Sequence, residues 1–230
     1  VSDYFKAPMY GLFFGSVFAI GGLFLAYVVF ELRMFWLTYP LVIGFALIGP
    51  FVATGLYEVS RRLENAGALN WPDILGVIWF QHKRELGWMA FVMLFIFWIW
   101  MYQIRTLVAV FFGSSGFADM QGFLDAVFTT QTGYLFLLVG HLVGALVSIT
   151  LFALTVISCP FLLDRDVDFV TAMLTSIRAV LKSPIIMLTW GVFVILSVIA
   201  AAIPAFLGLL VVLPVLGHAT WHLYRRLIQA

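Results

Sequence analysis

Charge is scarce in this chain. Lys, Arg, Asp and Glu make up 10% of its 230 residues, against about 25% in a soluble domain. A surface this poor in charge would aggregate in water, so lipid is the solvent for most of the chain. Cysteine is almost missing as well. Cys159 stands alone, which excludes an internal disulfide and any cysteine-based metal cluster. A net charge of +1 gives no basis for binding nucleic acid. No glycine motif that cradles phosphate is present. No serine–histidine–aspartate arrangement is legible along the chain, and no acid pair lies in the middle of an apolar run. The missing buried acids count against a proton-driven pump.

What is present is apolar and aromatic: 64% hydrophobic residues and 17% Phe, Trp and Tyr. Six apolar runs approach the length needed to cross about 30 Å of hydrocarbon at about 1.5 Å per helical residue. They cover approximately 11–30, 36–57, 87–110, 134–158, 185–202 and 205–224. The last two flank Pro204 and read as a hairpin. The first lacks a small-residue cleavage pattern and reads as a retained span. The expected fold is all-α: a polytopic membrane bundle of six transmembrane helices, with the whole chain, 1–230, as one transmembrane domain.

Orientation follows from lysine and arginine. With six spans, Lys6, Arg61, Arg62, Lys83, Arg84, Arg165, Arg178, Lys182, Arg225 and Arg226 share one side. Only Arg33 and Arg105 fall on the other. The ten-to-two split places both termini in the cytoplasm.

Two cytoplasmic segments read as amphipathic helices lying in the interface. The first covers about 70–83, with Asn70 as a cap and Trp71 and Trp79 at headgroup depth. The second covers about 168–182. Asp168 caps it, Phe169, Val170, Met173, Leu174, Ile177, Val180 and Leu181 recur at helical spacing, and Pro184 stops it. Gly140, Gly144 and Ser148, and also Gly11 and Gly15, are spaced for close helix contacts. Pro50–Leu63 and Pro214–Leu227 echo each other, each ending in an arginine pair and a leucine. An old duplication and the common look of positive-inside helix ends explain this echo equally well.

The polar residues give a short roll of candidates. Glu58, Arg61 and Arg62 stand where the second run leaves the membrane. Asp164, Arg165, Asp166 and Asp168 stand where the fourth leaves. Opposite charges at one depth suggest ion pairs between the two exits, or caps on the interfacial helices. The three aspartates have the opening spacing of a calcium loop, but Phe169 and Thr175 replace its glycine and glutamate. His218 and His222 share a helix face, yet Ala219 stands where a zinc protease has its glutamate. A metal there would need further ligands from elsewhere, such as Glu58. His141 lies inside the fourth run, where an ionisable residue is a functional candidate. Haem held between His141 and His218 is disfavoured, because their depths differ by about 10 Å. A neutral His141 bonded to a neighbouring span is expected, and no catalytic residue, cofactor or metal.

With GPFVATGLYEVSRRLE, WPDILGV, CPFLLDRDVDFVTAMLTSIRAVLKSP and PVLGHATWHLYRR read, the chain resembles the DUF2189 family of bacterial predicted integral membrane proteins, from about Tyr39 onward. The resemblance implies the bacterial inner membrane and brings no catalytic residues. Some members go by the name cytochrome c oxidase subunit I. That name does not imply a haem–copper core here, because such a core needs more histidine ligands than the four present. The leading expectation is a non-enzymatic accessory or scaffolding subunit of a larger, possibly respiratory, membrane complex, with the bilayer and other membrane subunits as partners. The alternative is a small transporter or channel working as an oligomer. A haem- or metal-binding membrane protein is the weaker third reading.

Overall fold

The computed structural model describes residues 2–31, 38–76, 83–113 and 120–229. Among these residues the chain is all-helical, with no strand. Eleven helices follow in order: α1 (Ser2–Lys6), α2 (Pro8–Glu31), α3 (Thr38–Glu64), α4 (Trp71–Gly76), α5 (Lys83–Phe112), α6 (Met120–Thr129), α7 (Gln131–Thr155), α8 (Ser158–Asp164), α9 (Phe169–Lys182), α10 (Pro184–Ala202) and α11 (Leu209–Gln229).

Within the described residues, each of the six apolar runs overlaps one long helix. Among the described residues, four stretches are long and apolar enough to cross a membrane: Pro8–Glu31, Glu85–Phe112, Gln131–Asp164 and Pro184–Ala202. α3 and α11 differ. α3 carries Glu58, Arg61, Arg62 and Glu64 in its last two turns, and α11 carries His218, His222, Arg225 and Arg226 from its middle onward.

The chain divides into two compact units. The first comprises residues 1–90 and 152–230. In it α2 packs against α3 and α11. Glycine makes that approach close: a Cβ at Gly15 would stand 2.8 Å from the Leu210 backbone, and one at Gly11 would stand 3.3 Å from Pro214. The core of this unit is concentrated around Ile157, Leu162, Met187, Trp221 and Tyr224, all essentially fully buried. A second cluster joins Tyr10, Phe14, Leu56, Val59 and Ile74.

Helix α9 starts where expected. The Asp168 carboxylate accepts from Thr171 N at 2.9 Å, an N-cap, and Glu85 accepts from Phe169 N at 2.9 Å. Pro184 opens α10, where its missing N–H costs nothing. The face that α9 buries is narrow and small: Ala172, Ser176 and Val180. Ser176 Oγ accepts from Ile157 N at 3.1 Å and so pins the turn between α7 and α8. Val170, Leu174 and Leu181 of the expected apolar stripe stay exposed. The interfacial helix expected over 70–83 begins as α4, with Ile74 N donating to Asn70 O at 3.1 Å. Its continuation lies outside the described residues.

Helices α10 and α11 form the expected hairpin. Its turn is tight: Ala205 and Phe206 have φ of 50° and 63°. Left-handed backbone at a non-glycine residue costs about 1–2 kcal/mol, and here two come in succession.

The second unit spans residues 91–151. Gly144 of α7 meets the Trp100 ring of α5, where a Cβ would come within 2.7 Å. Gly140 meets nothing within 4 Å, so only part of the expected small-residue stripe makes a contact. Helix α6 lies between α5 and α7 in the chain, and Phe123 of α6 packs edge-on against Phe112 and Phe136.

Candidate functional site

The polar side chains of the first unit gather at one end of α3 and α11. Glu58 is fully buried and charged partners reach both of its oxygens. Arg61 Nε donates to Oε2 and Arg62 Nε to Oε1, each at 2.7 Å. The spacing of three and four residues makes this inevitable on a helix. Arg62 then reaches on, from Nη1 to Ala68 O and to Asp73 Oδ2, both at 3.0 Å. It therefore ties the chain after α3, and α4 with it, back onto α3.

A second network joins α1, α3, α8 and α11. Ser60 donates to Asp3 Oδ2 at 2.8 Å. His218 Nδ1 lies 2.7 Å from the same Ser60 oxygen. A hydroxyl has one proton. Ser60 gives its proton to the carboxylate, so His218 Nδ1 carries the hydrogen of the second bond. That leaves His218 Nε2 as a bare acceptor, buried and without a partner among the described residues. His222 Nε2 donates to Asp3 Oδ2 at 2.8 Å, and its Nδ1 faces Glu64 Oε1 at 3.5 Å. Arg225 links Glu64, at 3.1 Å, to Asp164, at 3.3 Å. Tyr224 donates to Asp164 Oδ2 at 2.6 Å. Burial alone would raise the Asp3 pKa, but the hydrogen bonds from Ser60 and His222 outweigh it and hold the carboxyl below its ordinary value.

Several expectations change here. Glu58 does not pair with the aspartates of the other exit. Its own helix supplies Arg61 and Arg62 within one turn, before any distant group can compete. Asp164 faces α11 instead. Arg165 lies loosely beside Asp164, at 3.6 Å, and is exposed. Asp166 is exposed, and Asp168 is used up in capping α9. The three aspartates therefore diverge and do not form a cation loop. Among the described residues no three His, Cys, Asp or Glu side chains converge as metal ligands. Asp3 and Glu64 approach opposite nitrogens of His222, which is a bracing geometry.

Among the described residues His141 is not bonded to another helix. It donates from Nδ1 to Leu137 O of its own helix at 2.6 Å and is exposed. The sequence reading missed Asp3, Ser60, Glu64 and Tyr224.

Beside this network lies an apolar cavity of about 740 Å³, bounded by α2, α3, α10, α11 and the end of α7 around Phe152. No charged residue lines it among the described residues.

Four apolar helices of membrane-crossing length and this scarcity of charge define an integral membrane protein. Residues 38–164, which are 127 of 230 and thus more than half the chain, match the family of predicted integral membrane proteins DUF2189. The chain belongs to that family. The matched stretch runs from α3 to α8, so it contains Glu58, Ser60 and Asp164 and leaves out Asp3, His218 and His222. No curated protein and no solved structure matches the chain.

Proposed function

We propose that the chain is a non-enzymatic accessory or scaffolding subunit of a larger assembly in the bacterial inner membrane. In this reading α3 and α11 complete six spans, α4 and α9 lie in the cytoplasmic interface, and both termini are cytoplasmic, as the lysine and arginine distribution requires.

One observation carries the reading. On α5, Phe91, Phe95, Trp98 and Tyr102 follow a spacing of four, three and four residues, the seam of a helix pair. Their rings pack on one another in sequence, with centroids 6.5, 6.1 and 5.3 Å apart. All four are about half exposed or more, and the apolar window of α5 is only 6% buried. Association in lipid depends on van der Waals packing. A pre-stacked aromatic ladder offers large contact area with few rotamers left to freeze. Ser60 and His218 support the non-enzymatic part: both are fully buried, and the serine proton is committed to Asp3.

A photo-crosslinking residue at Phe95 tests the docking face, with the exposed Leu142 of α7 as control. Expected is a protein adduct of defined mass from Phe95 and lipid adducts from Leu142. Lipid adducts alone from Phe95 would remove the support. The transporter reading is weaker. His141 is not among the residues lining the cavity, whose walls carry no charge.

A further inference from the structure

We propose that the apolar cavity of the first unit is a binding site for one membrane phospholipid, held by its acyl chains. The walls are Ala26 of α2, Ala53 and Tyr57 of α3, Val198 of α10 and Leu213 of α11. At about 740 Å³ it has the size of a ligand site, roughly 300–1,000 Å³, and not of a packing defect. An apolar space of this size at hydrocarbon depth fills with the nearest apolar molecule, and that is lipid.

The shape fits the occupant. Along α11 the lining runs from Leu209 to Thr220, about 17 Å at about 1.5 Å per residue. One leaflet of a bilayer with a core of about 30 Å is about 15 Å thick. Along α2 the lining runs further, from Phe14 to Phe30, about 24 Å, so the cavity is at least one leaflet deep.

The two ends differ chemically. One is closed by Phe206, whose ring fills the space left by Gly22, where a Cβ would come within 2.6 Å. Phe206 is also one of the two non-glycine residues with left-handed backbone. Strain of this kind persists where the surrounding structure holds it, and it gathers at ligand clamps. The other end carries Tyr57 and Thr220. Tyr57 is 5% exposed, and its hydroxyl has no hydrogen-bond partner among the described residues, although buried tyrosines normally find one. Thr220 keeps acceptor capacity but spends its proton on Leu216 O. The phenol is thus a donor without a protein partner among the described residues, at the more polar end of the apolar slot. An ester carbonyl of a phospholipid stands at that depth and accepts hydrogen bonds. The uncharged walls keep the phosphate outside.

The test uses the full chain in mild detergent, washed until annular lipid has exchanged. Solvent extraction and mass spectrometry then count phospholipids and isoprenoid quinones per chain. Expected is about one phospholipid per chain in the wild type. Ala26→Trp fills the cavity and is expected to lower retention at least about fivefold. Tyr57→Phe removes only the hydroxyl and is expected to weaken retention about fivefold, the effect of one hydrogen bond. If Ala26→Trp is not monodisperse, Val198→Phe fills the slot from the opposite wall. The proposal is overturned by wild-type protein free of phospholipid, by retention unchanged in Tyr57→Phe, or by a quinone in place of the phospholipid.

Discussion

Ser60 and Asp3 are 57 residues apart in sequence and meet at 2.8 Å, hydroxyl to carboxylate, in the buried interior. Through His218 at 2.7 Å the same hydroxyl reaches α11. One serine therefore fastens the N-terminal helix and the C-terminal helix to α3. Ser60→Ala leaves His218 Nδ1 without its partner and Asp3 with only His222. The expected loss is about 1–3 kcal/mol, the desolvation cost of buried polar groups left unpaired. A lower thermal midpoint in detergent reads it, and an unchanged midpoint would show that the network is not structural.

Asp3 gives this latch a pH dependence. Its folded-state pKa lies below the ordinary 3.8. Its stabilisation is therefore complete above about pH 3.8 and lost as pH falls through the lower folded value. As the pH falls below about 3.8, the wild type is expected to lose more stability than Asp3→Asn, which cannot titrate. The difference between the two melting curves isolates this group from the other carboxylates.

Glu58 is the one fully buried carboxylate of the α3 exit, and two guanidinium groups converge on it. Glu58→Ala removes the acceptor for both. The expected cost is about 3 kcal/mol, at the lower end for a broken buried pair because both arginines reach solvent. Glu58→Gln keeps one acceptor oxygen, loses the charge and turns an amide NH2 toward the other guanidinium, and is expected to fall between. Chemical denaturation in mixed micelles ranks the three.

Two glycines on membrane-length helices make opposite predictions. Gly15→Ala places a Cβ 2.8 Å from the Leu210 backbone and must push α2 off α11. The expected cost is about 1–3 kcal/mol, as for other overpacking. Gly140→Ala meets nothing within 4 Å and is expected to be neutral or slightly stabilising, since alanine is the better helix former. Thermal midpoints of the two variants, measured side by side, separate contact from composition.

The helices were legible because apolar runs and their stops are local signals. The Asp168 cap, the Pro184 start and the hairpin at Pro204 all depend on residues within one or two turns. The partners of the charges were not legible, because they depend on which helix ends meet. Glu58 shows the limit from the near side: its partners were its own neighbours, at helical spacing readable in the sequence, yet a distant pairing with Asp164, Asp166 and Asp168 was expected. Asp3 shows it from the far side, since nothing local tells a lone N-terminal acid that Ser60 and His222 await it. The exposed stripe Val170, Leu174 and Leu181 of α9 adds a third case. Helical spacing identifies an apolar face, but not whether protein or lipid covers it.

Docking through α5 is tested most directly by native purification. The full chain, extracted in a gentle detergent, is analysed by mass spectrometry beside Trp98→Ala and Phe95→Ala. The expected result is a partner subunit at fixed stoichiometry with the wild type, lost in both variants while the chain itself stays folded. A wild-type chain that always emerges alone, or a partner retained equally by all three, would contradict it.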